Sequence, residues 1–120
     1  MDRILFYEDK KGNQPAAEYI RKLSKKNDKD SRIKLNKINE YFQVLEEYGF
    51  SAGEPFIKHI EDEIWELRPL RDRFFFVSWL DNKFIILHSF MKDTKKTPRR
   101  EIEKAKREYA DILDRRNEYE

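Results

Sequence analysis

Glu66-Leu67-Arg68, Arg73, His88-Ser89-Phe90-Met91-Lys92 and Lys95-Lys96 gather residue types that handle phosphate. Guanidinium and ammonium groups match phosphate oxygens, a phenylalanine ring can stack on a base, and a carboxylate or imidazole can move a proton. Charge is concentrated on this unit. From Arg68 to Arg100 there are nine Lys/Arg and three Asp/Glu, a balance of +6. Residues 1–67 carry twelve against fourteen, and residues 101–120 carry five against seven. The near-neutral whole, +2, hides a basic middle, which suggests an anionic partner and by itself specifies no reaction.

A plainer reading of the same residues stays open. Arg68 and Arg73 could be exposed ion-pair partners of Glu66 or Asp72, worth about 0–1 kcal/mol each. His88, set among Ile85–Leu87 and Phe90, also reads as a hydrogen-bonded core histidine. Phe90 also reads as core, and Lys95-Lys96 as a solvated turn.

The elements that must position these residues follow from pattern. Ile4–Tyr7 is a short apolar run bounded by Asp9-Lys-Lys-Gly12, a first strand. Pro15 opens a helix with Ala16, Tyr19, Ile20 and Leu23 on one face. A second helix begins near Asp28 or Asp30, carries Leu35, Ile38, Phe42 and Leu45, and ends at Gly49. Phe56–Ile60 is a short strand candidate and Ile64–Arg68 a further strand. Pro69–Asp72 turns the chain into Arg73–Leu80, and Asp81-Asn82-Lys83 turns it again into Phe84–Met91. The last two runs are apolar throughout, so they belong at the sheet centre with both faces at least partly covered. Thr97-Pro98 opens a final helix striped by Ile102, Ala105, Tyr109, Ile112 and Leu113, and the tail from Arg115 is expected to fray. The expected fold is α+β, a small mostly antiparallel sheet with an N-terminal helical hairpin on one face and a C-terminal helix, in the order β-α-α-β-β-β-α.

Alternation along strands then sorts the side chains. With the hairpin on one face, the other is expected to present Glu66, Arg68, Arg73, His88, Phe90 and Lys92, a cationic surface with an aromatic platform.

Composition bounds the rest. The 120 residues suit one domain, 1–120. Charged residues reach 42 % and mean hydropathy is −0.99, yet 14 % aromatics argue against disorder. There is no cysteine, and His59 and His88 stand 29 positions apart, so neither thiolate nor histidine zinc chemistry is expected. No metal or other cofactor is expected. The N-terminus lacks the pattern of a secretory signal, and no apolar run approaches a membrane span; a soluble cytoplasmic protein is the expectation.

The strings Glu66-Leu67-Arg68, Arg73, His88-Ser89-Phe90-Met91-Lys92, Lys96-Thr97-Pro98 and Glu101-Ile102-Glu103-Lys104-Ala105 stand in an order that resembles the RelE/ParE toxin superfamily. The chain looks most like the phage-derived RelE-like branch that includes HigB toxins. The resemblance covers nearly the whole chain and implies a RelE-like fold. It also implies the toxin half of a type II toxin–antitoxin pair, a ribosome-dependent mRNA endoribonuclease that works without a metal. It further implies a helix-turn-helix, HigA-like antitoxin, a ribosome with mRNA in its A site, and a toxin–antitoxin complex of higher order on operator DNA. In that frame Arg68 and Arg73 hold phosphate charge. Lys92 and Lys96 add charge at the cleft mouth, one of them a candidate acid or base. Glu66 acts as base or orients Arg68, and His88 is a weaker acid–base candidate. Phe90 stacks a base, and Arg71 and Lys95 contact RNA. The same superfamily holds ParE-like gyrase poisons, and a non-catalytic nucleic-acid-binding domain would use the same patch.

Overall fold

Every apolar stripe read from the sequence finds one of the two faces of a single sheet. The computed structural model describes residues 2–120 and contains β1 (Ile4–Phe6), α1 (Pro15–Ser24), α2 (Lys29–Tyr48), β2 (Ile57–Glu61), β3 (Ile64–Leu67), β4 (Asp72–Trp79), β5 (Lys83–Met91) and α3 (Arg99–Asp114). The class is the expected α+β. The expected order β-α-α-β-β-β-α counts one strand too few, because Ile57–Glu61 is a complete edge strand. Four strands therefore follow the helical hairpin.

The sheet runs β1-β5-β4-β3-β2, with β1 parallel to β5 and every other pair antiparallel. β4 and β5 lie inside it, as their unbroken apolar runs require. Local signals set the helix limits. Pro15 starts α1, where its missing N–H is no loss. Asp28 caps α2, its carboxylate accepting from the Ser31 N–H at 3.0 Å and from the Ser31 hydroxyl at 2.9 Å. Gly49 ends α2 at φ +56°, where a Cβ would lie 3.0 Å from the Arg3 guanidinium. α3 begins at Arg99 with Pro98 at the N-cap position and without a side-chain cap, so the expected hydroxyl cap is not made.

One core lies under the hairpin. Ile38, Phe42 and Leu45 of α2 meet Leu67, Phe74, Phe76, Phe84 and Ile86. The second core lies under α3, where Ile102, Ala105 and Ile112 meet Ile64, Phe75, Val77, Ile85 and Leu87. The face expected to be an open cationic surface is thus half covered by the C-terminal helix. Leu113, placed in the α3 stripe, stays 38 % exposed.

A β-bulge also changes one face assignment. Phe74 pairs with Ser89 and Phe76 with Ile86, so Leu87 and His88 together oppose Phe75. Strict alternation puts Leu87 and His88 on opposite faces. In the structure Leu87 packs in the core under α3 and His88 bonds to α3.

The tail does not fray. A 3₁₀ turn at Arg116–Tyr119 closes it, with the Tyr119 hydroxyl accepting from the Glu8 N–H at 3.0 Å and the Trp79 indole donating to the Tyr119 carbonyl at 3.1 Å. Among the described residues no helix is long and apolar enough to cross a membrane.

Candidate active site

Glu66 is the centre of the charged end of the sheet. β3 directs its side chain to the α3 side, beside Phe75 in the β3–β4 register, and the residue is fully buried. Its Oε1 lies 3.3 Å from Arg68 Nε and 3.8 Å from Arg73 Nε. These are ion-pair distances without hydrogen-bond geometry. Both carboxylate oxygens and both Nε atoms are buried with no hydrogen-bond partner. A native fold rarely leaves four such atoms together, and functional sites are where exceptions occur.

The electrostatics show which effect wins. Burial raises the Glu66 pKa, and Arg73, Arg68, Lys92 and Lys58 pull against it without reversing the shift. Burial also lowers the Arg73 pKa, opposed by the Glu66 charge. On both partners desolvation exceeds Coulombic attraction, the usual outcome for an ion pair withdrawn from water. The Arg68 and Arg73 side chains keep 23 % and 12 % of their surface exposed, and an anion can approach the pair only from that side.

The remaining groups are set around this pair. Arg73 is steered by its Nη1, which donates to the carbonyls of Leu70 at 2.7 Å and Asp72 at 2.9 Å. Arg68 also lies 3.4 Å from the exposed Glu54 carboxylate. Phe90 pairs with Arg73 across β4 and β5, and its half-buried ring meets Phe75 edge-on, centroids 5.1 Å apart. Lys92 follows β5, with its N–H donating to the Arg71 carbonyl at 2.9 Å. Arg71 is exposed and pairs with Asp93. The structure therefore brings Glu66, Arg68, Arg73, Phe90 and Lys92 together.

Lys95 and Lys96 are exposed in the loop between β5 and α3. That loop is shaped by the Thr94 hydroxyl donating to the Lys96 carbonyl at 2.6 Å. Its far end is fixed where Arg99 makes two 2.7 Å bonds to the Glu61 carboxylate and Lys106 pairs with the same group. These bonds, from Arg99 first, lower the Glu61 pKa to about 2.

His88 lies under α3, not in the cationic cluster. It is 1 % exposed, with Nδ1 2.6 Å from Glu108 Oε1 and Nε2 2.9 Å from Glu101 Oε1. Both ring nitrogens are occupied inside the protein, which fits the core-histidine reading and makes His88 a tie between β5 and α3. Sequence reasoning missed Lys58, which opposes Glu66 in the β2–β3 register and lies close enough to act on its charge. The β2–β3 register shifts between His59 and Glu61, so counting back from the turn does not reach this pairing and no local signal finds it. Among the described residues no three His, Asp or Glu side chains converge as a metal site.

No curated protein matches the chain. Residues 18–110 match the model of the family described as phage derived protein Gp49-like (DUF891), a span that holds most of α1, all of α2, strands β2 to β5 and most of α3. By that match the chain belongs to the phage-derived Gp49-like family, a RelE/ParE-like toxin family.

Proposed function

We propose that this chain is a HigB-type toxin of a type II toxin–antitoxin system, an endoribonuclease that cuts mRNA in the ribosomal A site without a metal and so stops translation and growth. The observation that carries the reading is the buried Glu66 carboxylate set between Arg68 and Arg73 with their Nε atoms unsatisfied. It lies on a cationic face that also presents Phe90 and Lys92. Family membership supports the toxin part of the reading.

The reaction is attack of a ribose 2′-OH oxygen on the adjacent phosphorus with rupture of the P–O5′ bond, leaving a 2′,3′-cyclic phosphate and a 5′-OH. The 2′-OH proton passes to a base, and a proton must reach the leaving O5′. Arg68 and Arg73 stabilise the charge that builds on the phosphorane oxygens, where fixed donors act most strongly. Glu66 has no exposed surface, so its part is to hold the two guanidinium groups rather than to meet the ribose. Lys92 or Lys96 serves as acid or base. Phe90 stacks a base beside the scissile phosphate, and Arg71 and Lys95 hold RNA. His88 positions the end of β5. The partners in this reading are the ribosome and a HigA-like helix-turn-helix antitoxin in a higher-order complex on operator DNA.

The test is induction of the chain alone beside Arg73→Ala, with growth followed and mRNA ends mapped. Growth arrest with new 5′-OH ends inside translated messages, both lost in the variant, is the expected result. Arrest with intact mRNA and damaged DNA would replace it with gyrase poisoning. Folded protein without arrest would leave a binding domain.

A further inference from the structure

Lys58 has no task in the reaction above, yet it stands on the same face as the groups that do. In the β2–β3 register it opposes Glu66, and cross-strand partners share a face. Its neighbours along β2 turn the other way. Ile57 is buried in the core under the hairpin, and the His59 ring meets Trp65 on that side, centroids 5.0 Å apart.

The charge of Lys58 is not consumed inside the protein. Lys58 is exposed, and among the described residues it has no ion-pair partner; the Glu66 carboxylate finds its own in Arg68 and Arg73. Lysine on an edge strand discourages pairing with other chains, and β2 is an edge. That role asks for charge at the edge, not for alignment with two arginines.

Register supplies the alignment. Leu67 pairs with Phe74, which sets Arg68 beside Arg73, and Arg73 pairs with Phe90. Lys58 on β2, Arg68 on β3, Arg73 on β4, then Phe90 and Lys92 on β5 form an oblique line across the sheet. With neighbouring strands about 4.8 Å apart, β2 and β5 lie about 14 Å from each other, farther than one phosphate reaches.

We infer that Lys58 is a substrate-binding residue that holds the RNA phosphate next to the scissile one, with the RNA crossing the strands from β5 to β2. The inference rests on the nuclease reading above and gives its substrate a direction. Arg68 and Arg73 meet the scissile phosphate, Phe90 stacks a base on the β5 side, and Lys58 takes the neighbouring phosphate on the β2 side. An ammonium on a flexible, exposed stem suits a contact that needs charge without a fork. An acidic protein segment would also meet these cations, but the Phe90 ring among them favours a nucleobase.

The test measures binding and cutting separately, with the full chain on programmed ribosomes. For binding, the A-site codon carries 2′-deoxyriboses, which lack the attacking hydroxyl; for cutting, it carries riboses. Lys58→Gln is expected to weaken binding by about three- to five-fold, the scale of one exposed ion pair. The slope of log affinity against log salt should flatten by about 0.7, the share of one single-strand phosphate. Lys58→Arg should restore both. In cutting, the half-saturating concentration should move more than the rate at saturation, because a flanking phosphate is held alike before and at the transition state. A methylphosphonate at the phosphate beside the scissile one should cost the wild type the same factor and cost Lys58→Gln nothing further.

Wild-type affinity and salt slope in Lys58→Gln overturn the inference. So does a methylphosphonate penalty that is as large in that variant as in the wild type. A lower rate at saturation with unchanged binding overturns it in favour of an effect through Glu66. Unchanged ribosome binding with weakened antitoxin binding overturns it in favour of an acidic protein segment. Lys58-dependent binding by a wild-type chain that never cuts refutes the nuclease reading and keeps Lys58 as an RNA contact. A wild-type chain that neither binds nor cuts overturns both.

Discussion

Glu66 and Arg68 face each other at 3.3 Å, and neither the carboxylate nor the Nε has a hydrogen bond although all the atoms are buried. The pair holds charge in place at the expense of hydration, as the raised Glu66 pKa records. A raised carboxylate pKa favours the fold below the unfolded value and loses that contribution as pH rises through the folded one. Glu66→Gln keeps the shape and removes the charge. Its Tm should exceed that of the wild type at pH 8, and the gap should close as the pH falls toward the ordinary glutamate range. A gap that does not change with pH between 5 and 8 would refute burial as the dominant influence on this carboxylate.

Arg73 is steered by two backbone carbonyls through Nη1, while its Nε stays buried 3.8 Å from the Glu66 carboxylate. Arg73→Ala should lower mRNA cleavage by about 10²-fold or more, the scale of losing one fixed donor to transition-state charge. Arg73→Lys should recover only part of this, because an ammonium lacks the fork. Single-turnover cleavage on programmed ribosomes, with circular dichroism to establish folding, measures both. Equal activity of the lysine variant and the wild type would mean that net charge alone matters here.

Glu61 binds Arg99 and Lys106 and so fixes the start of α3, where the lysine loop ends. Its pKa is lowered to about 2. A depressed carboxylate stabilises above its unfolded pKa and ceases to as the pH falls through the folded value. The first turn of α3 should therefore lose protection from hydrogen exchange as pH falls from about 4.5 toward 2. In Arg99→Ala the folded and unfolded values lie closer together, so protection should be lower near neutral pH and should fall less below pH 4.5. Protection that is independent of pH in both proteins would contradict the role given to this contact.

Asp28 satisfies the Ser31 N–H and the Ser31 hydroxyl at the start of α2, the helix that covers one core. Asp28→Ala should destabilise the fold by about 0.5–2 kcal/mol, and Asp28→Asn by less. Urea unfolding gives the values, and an alanine variant as stable as the wild type would show that the cap is dispensable.

The sequence alone determined what is local. Pro15, Asp28, Gly49 and Pro98 mark helix limits because caps and φ restrictions act within a turn. The unbroken apolar runs of β4 and β5 place those strands inside the sheet because both of their faces are buried. The cluster of Arg68, Arg73, Phe90 and Lys92 around Glu66 was legible too, since alternation along strands carries the side chains to a common face. Tertiary structure decided the rest. Only packing puts α3 over half of that face, because its stripe fits either side of the sheet equally well. Only the bulge opposite Phe75 turns Leu87 and His88 to one side, where His88 meets Glu101 and Glu108, since one extra residue in a strand has no signature in hydropathy. Lys58 enters the site through strand register, and the Tyr119 clamp through a contact with Glu8 more than a hundred residues away in the chain. Neither relationship exists until the chain has folded.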